Sequence, residues 1–198
     1  MHSSEALRVV CPPCLLISFQ RRNFNSMSRR HLVVVTAVTT LFISMLSYEP
    51  ASLLIYRLRE PYFAFPVARG PKGIEIRNDA HGDGGFGAKR RNGRTHAGVD
   101  ILAPVGTPVY ASKSGVAFTG NVPYGYGKYV MIYHPDGLQT FYGHLSGWAV
   151  VSAQKVRRGD LIGFVGKTGN ASRRAIQPHL HFEVRRGGES IDPTKLLS

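Results

Sequence analysis

The chain has 198 residues and a formal net charge of +13, from 25 Lys plus Arg against 12 Asp plus Glu. At 43% hydrophobic and only 19% charged residues it is too apolar for a disordered chain, and its 22 Gly and 12 Pro mark a folded protein rich in turns. The length allows one domain of roughly 100 to 150 residues and something extra, and the basic balance points to a polyanionic partner without saying whether it is nucleic acid, anionic lipid or cell wall.

The first distinctive residues are Cys11 and Cys14, the only two cysteines. A four-cysteine zinc site is therefore excluded, and Cys-Pro-Pro-Cys precedes no strand and helix pattern that would make it a redox motif. Next comes SRRH and an uncharged run over residues 32–48. A basic region followed by an apolar one fits a secretory signal, and the run also satisfies a short signal-anchor that would hold the protein in the membrane. A second apolar patch, Leu53 to Tyr56, either extends an anchor or forms a linker. Met27 stands directly before the basic region, so a start there would give an export signal of ordinary layout and make residues 1 to 26 an extension.

Beyond Pro61 the texture changes to short runs of Val, Ile, Tyr and Phe punctuated by Gly, Pro, Asn and Asp. This predicts an all-β domain of mostly antiparallel sheet over residues 61–198, behind an N-terminal extension of residues 1–60. Strands are expected at 108–112, 115–119, 128–134, 138–144, 161–165 and 180–185. Pro135, Asp136 and Gly137 should turn a hairpin between the third and fourth of these. Residues 1–60 hold seven Arg and three Glu, which leaves +9 of the charge on the domain itself.

Five residues carry candidate chemistry. His96 and Asp100, in THAGVDI, are suitable metal ligands, but four residues of regular strand would separate them by about 13 Å. The segment must bend if both hold one ion, and Gly98 permits a bend. Alone, such a pair reads as a surface loop. His179 and His181, in PHLHFEV, share one face of a strand with Glu183, with Leu180, Phe182 and Val184 behind. One imidazole could hold a metal while the other points at substrate; taken alone, two solvent-facing histidines fit as well. His144, in FYGHLS, shares a regular strand's face with Tyr142 and Thr140, and an imidazole near a metal can act as a general base. His134 reads as structural.

Taken in order, HAGVD, YGHLS and PHLHFEV resemble the peptidoglycan-cleaving zinc metallopeptidases of the M23 group, relatives of lysostaphin and of LytM-type autolysins. APVGTPVYASKSGVAF, GYGKYVMIYHPDG and VRRGDLIGFVGKTG are similar to that family's scaffold segments, and the resemblance covers roughly residues 66 to 194. It implies a β-sandwich-like fold of the duplicated hybrid motif type. It further implies that His96, Asp100 and His181 bind Zn2+, that His144 and His179 are catalytic, and that the substrate is the peptide moiety of peptidoglycan in the extracytoplasmic envelope. The stretch NASRRAIQ, before PHLH, departs from the family pattern and places Arg173 and Arg174 near the catalytic strand. Two rivals remain. One is a non-catalytic domain of this fold that regulates another wall hydrolase; the other is nucleic-acid binding, for which no recognised basic helix or aromatic RNA-binding motif is present.

Overall fold

The computed structural model describes residues 29–70, 73–90 and 93–198; Cys11, Cys14 and Met27 lie outside them. The first element is a helix, α1 (Arg29–Arg59), that joins the apolar run and the second apolar patch without interruption and carries Pro50 inside it. Its hydroxyl residues bond backwards to the helix itself. Thr36 donates to the carbonyl of Leu32 at 3.0 Å, Thr39 to that of Val35 at 2.9 Å and Ser47 to that of Ile43 at 2.9 Å. Polar side chains satisfied in this way leave an apolar exterior. Among the described residues this is the one helix long and apolar enough to cross a membrane.

Two compact units divide the chain after Ser47. The second, Tyr48–Ser198, therefore includes the last turns of α1. Beyond them come strands β1 (Asn78–Asp79), β2 (Gly82–Asp83), β3 (Val99–Leu102), β4 (Pro108–Tyr110), β5 (Gly115–Asn121), β6 (Lys128–Tyr133), β7 (Leu138–Trp148), β8 (Gln154–Val156), β9 (Leu161–Val165), β10 (His179–Arg186) and β11 (Glu189–Ile191). β1 and β2 pair with each other, and the other nine form one antiparallel sheet. Its spine runs β11, β10, β7, β6, β5, β8, with β3 added to β10 and the β4–β9 pair added through β7. Each of the six strands read from alternation is present, and the Pro135–Gly137 turn joins β6 to β7.

Alternation decides which side chains make the core. Val99 on β3 lies opposite Phe182 on β10, Phe182 opposite Tyr142 on β7, and Tyr142 opposite Val130 on β6. All four are fully buried in one apolar cluster with Ile101, Ile132, Leu180 and Val184. One residue along, the next row runs from Asp100 to His181 to Gly143 on the opposite face. Directly opposed side chains stand about 5 Å apart at Cβ. The register that buries Phe182 thus also brings Asp100 against His181. Near the chain's end, Phe63 forms a parallel bridge with Leu197 and enters the same core.

Candidate metal centre and active site

All five candidate residues meet at one place and are each almost wholly buried. Asp100 Oδ1 lies 2.8 Å from His181 Nδ1 and 3.1 Å from His96 Nε2, and the two imidazole nitrogens are 3.0 Å apart. A bend at Gly98 makes this possible, because β3 begins only at Val99. Gly98 is also required for close approach: a Cβ there would stand 2.3 Å from the carbonyl oxygen of Phe182. The expected bend is therefore present, and it is held against β10.

The partners on the far side of each ring fix the tautomers. His96 Nδ1 faces the carbonyl of Gly85 at 2.9 Å, an acceptor only, so Nδ1 carries the proton and Nε2 the lone pair. His181 Nε2 faces Glu183 Oε1 at 2.8 Å and donates to it, which turns the Nδ1 lone pair toward Asp100 and His96. Asp100 presents Oδ1, since Oδ2 is taken by Arg77 at 3.0 Å and Arg90 at 3.4 Å. In these tautomers three lone pairs converge on one point. A tetrahedral zinc ion with bonds of about 2.0 to 2.2 Å needs donors about 3.3 to 3.6 Å apart, a few tenths of an ångström wider than the 2.8 to 3.1 Å found.

The electrostatics make the same demand. With a proton in the place of an ion, burial opposes ionisation of Asp100, yet hydrogen bonds from His181 and His96 and the charge that proton brings hold its carboxyl well below the usual carboxylate range. Burial likewise opposes a charge on His181, but hydrogen bonds to Asp100 and Glu183 raise its pKa to about 9. The focus of the three donors calls for positive charge, which either an extra proton or a metal ion supplies. The donor set fits zinc.

His144 and His179 sit beside this cluster with ring centroids 4.9 Å apart. His179 Nδ1 donates to the carbonyl of Gln177 at 2.7 Å and His144 Nδ1 to that of Thr168 at 2.9 Å, which makes Nε2 the lone-pair nitrogen of both. Burial lowers the pKa of each, for His144 to about 3 with help from the neighbouring His181 and His179 charges. Both are neutral at ordinary pH, the state in which an imidazole accepts a proton.

The face expected for His144 needs correction. Regular alternation puts it with Tyr142 and Thr140, which point into the protein. Tyr142 pairs with Val130 but Leu145 with Lys128, so three residue steps on β7 match two on β6. This bulge is accompanied by φ of 63° at His144, in the left-handed region that non-glycine residues rarely occupy. The kink swings His144 onto the face of His179 and His181.

Of the neighbours around the cluster, the sequence placed Glu183 on this face, whereas Arg77, Tyr126 and Arg185 were not found in it. Arg77, nearly fully buried, bridges Asp100 and Asp79, the latter at 2.7 Å. Glu183 is fully buried and accepts from His181, from Tyr126 Oη at 3.0 Å and from Arg185 Nε at 2.6 Å. Arg185 also donates to Tyr126 Oη at 2.9 Å, closing a ring of three groups behind His181. Arg185 continues the His179–His181–Glu183 alternation, and that was the available signal; Arg77 and Tyr126 offered none. His134 is structural as read, held by the carbonyl of Ser114 and the hydroxyl of Thr140. Arg173 and Arg174 are exposed.

An antiparallel sheet thus sets two histidines and an aspartate at one focus, with two neutral histidines beside it. The family model described as peptidase family M23 matches residues 94–193, and the chain belongs to that family. Over 103 residues, 52% of this chain, it is 45% identical to the DD-carboxypeptidase/endopeptidase Mpg of Neisseria meningitidis serogroup B, and it spans about a quarter of the length of such curated relatives. Its fold is similar to that of a zinc-containing peptidase from Vibrio cholerae, with a TM-score of 0.55, 33% identity, and coverage of 67% of this chain and 39% of the other. The catalytic domain of the antimicrobial peptidase lysostaphin from Staphylococcus simulans is similar at a TM-score of 0.50 and 34% identity, over 56% and 86% of the two chains.

Proposed function

We infer that this chain is a zinc-dependent endopeptidase of the bacterial envelope that cleaves peptide bonds in the stem peptides or cross-links of peptidoglycan. His96, Asp100 and His181 hold the ion, and His144 and His179 are catalytic, within a metallopeptidase domain at residues 61–198. The observation that carries this reading is the convergence of three lone pairs within 3.1 Å of one another beside two imidazoles whose only N–H groups are spent on backbone carbonyls. Bound zinc supplies a Lewis acid that polarises a carbonyl and brings the pKa of its water towards about 7.

The chain's own groups do the rest. With Nδ1 protonated and Nε2 free, one of His144 and His179 takes the proton of the attacking water. That imidazole, then carrying an N–H at both nitrogens, hydrogen-bonds the atom on which charge develops or returns the proton to the departing amine, while the other accepts at Nε2 from the water's second O–H. Arg77 and Arg90 hold the outer oxygen of Asp100, so its inner oxygen keeps its aim. The fixed β10 register holds His179 and His181 within one strand, the rigid mounting a reaction centre needs. A net +9 on residues 61–198 favours docking on an anionic wall. The printed activities of the similar proteins, a DD-carboxypeptidase/endopeptidase and a zinc-containing peptidase, support a peptide bond as the target.

The test is digestion of purified peptidoglycan by the full chain in detergent, zinc-loaded and with chelator, followed by mass analysis. New amino termini that vanish with chelator are the expected result and identify the bond. Zinc-loaded protein that binds the wall and releases nothing would overturn catalysis in favour of a regulatory domain.

A further inference from the structure

We propose that α1 is a retained signal-anchor: residues 32–48 stay in a lipid bilayer in the mature protein, and residues 48–60 are a structural part of the exported domain. Three observations carry this, and it rests on the export of the domain, not on its chemistry.

The first is packing within the second compact unit. Glu60 accepts from the backbone N–H of Ser114 at 2.7 Å and from its hydroxyl at 2.5 Å, while Tyr56 Oη donates to the Ser114 carbonyl at 3.1 Å. The ammonium of Lys113, 2% exposed, lies 4.9 Å from the ring centroids of both Tyr56 and Phe63 and 2.6 Å from Asp136. Removing residues 48–60 would uncover that cation and leave the N–H of Ser114 without its carboxylate. A cleavable leader makes no such contribution to the product.

The second observation is chemical. Signal cleavage needs small residues at alternate positions beside the cut. From Ser44 to Ala68 no two of Ala, Gly and Ser are separated by a single residue. The end of the apolar run and the docked turns thus offer no such site.

The third is what the helix shows to its surroundings. Residues 32–48 make about 26 Å of helix, close to the ~30 Å hydrocarbon core. Leu32, Val33, Val34, Val38, Leu41, Phe42, Ile43, Met45 and Leu46 are each more than half exposed, with no polar face. Arg29 and Arg30 stand directly before the run, whereas Arg57 and Arg59 come only nine and eleven residues after Tyr48. This asymmetry keeps the N-terminus inside and delivers the domain outside. A bilayer suits a helix that is apolar all round and basic at its leading end.

The experiment expresses the full chain with a C-terminal tag in an export-competent bacterium. The expected result is a mature protein whose intact mass includes residues 30–60 and which stays in the membrane through alkaline carbonate washing. A soluble product beginning between residues 45 and 62, or an intact chain that carbonate releases, would overturn the proposal. Docking has its own readout. In detergent, trypsin should cut after Arg57 and Arg59 about 10- to 100-fold faster in Glu60→Ala than in wild type, the factor set by losing charge-assisted hydrogen bonds. Equal rates would mean that residues 48–60 are only a linker. Neither readout depends on peptidase activity, so failure here is separable from failure of the catalytic reading.

Discussion

The ring behind His181 allows a sharp test through Glu183→Gln. This substitution keeps the shape of the side chain and removes its charge. In the wild type, Glu183 is fully buried and accepts from His181 at 2.8 Å, Tyr126 at 3.0 Å and Arg185 at 2.6 Å. An amide can accept at one atom only, and its NH2 would confront either the imidazole N–H or the guanidinium. A hydrogen bond to a charged group contributes about 1.5 to 3 kcal/mol. If that interaction holds the Nδ1 lone pair toward the ion, zinc affinity should fall about 10- to 100-fold, the usual cost of losing a ligand's orienting partner. At a fixed excess of zinc this removes about 1.4 to 2.8 kcal/mol of metal-dependent stability, or roughly 3 to 11 °C in Tm for a domain of this size. The assays are competition with a chromophoric chelator and thermal unfolding with and without zinc. A variant whose apo form melts lower while its zinc-induced shift is unchanged would refute the reasoning, because Glu183 would then act only as a packing residue.

Further outcomes are expected elsewhere. His181→Ala should abolish zinc retention, whereas His179→Ala should keep the metal and lose turnover by about 10²- to 10⁴-fold; equal metal loss, by elemental analysis, would mean the two roles are misassigned. Arg77→Met should destabilise the fold by about 3 to 5 kcal/mol, since it strands the buried Asp100 and takes the partner from half-buried Asp79, and denaturant unfolding measures it. His134 gives a pH dependence that is separate from the metal site. Burial pushes its pKa below the ordinary 6.5 despite the carbonyl of Ser114, so the unfolded chain takes up a proton that the folded chain refuses. Stability should therefore fall as pH drops below about 6.5, and the wild-type-minus-His134→Gln difference should shrink over that range; a flat difference between pH 7 and 5 would contradict this.

The strands were legible because one face of each packs on the core while the other does not. Alternation placed β5, β6, β7, β9 and β10 to within a few residues. The meeting of His96 and Asp100 with His181 was legible only through the family resemblance, since pairing between β3 and β10 is non-local and no local pattern encodes it. His144 was placed on the wrong face because a period of two has no term for an extra residue. Arg77 went unseen because nothing in its own segment marks it as a partner of Asp100. Pro50 and Glu49 divide the apolar segment into two patches in the sequence, yet the helix runs through both and reaches Arg59.

The bulge at His144 ties reactivity to counting. The imidazole reaches the cluster because β7 has one residue more than β6 needs between Tyr142 and Leu145. Deleting one residue there, with all five candidate side chains retained, would restore the pleat and turn His144 into the core. Scans that change side chains one at a time would not reveal this, whereas a single-residue deletion would. In β7 the spacing is as much a part of the candidate site as the histidine it carries.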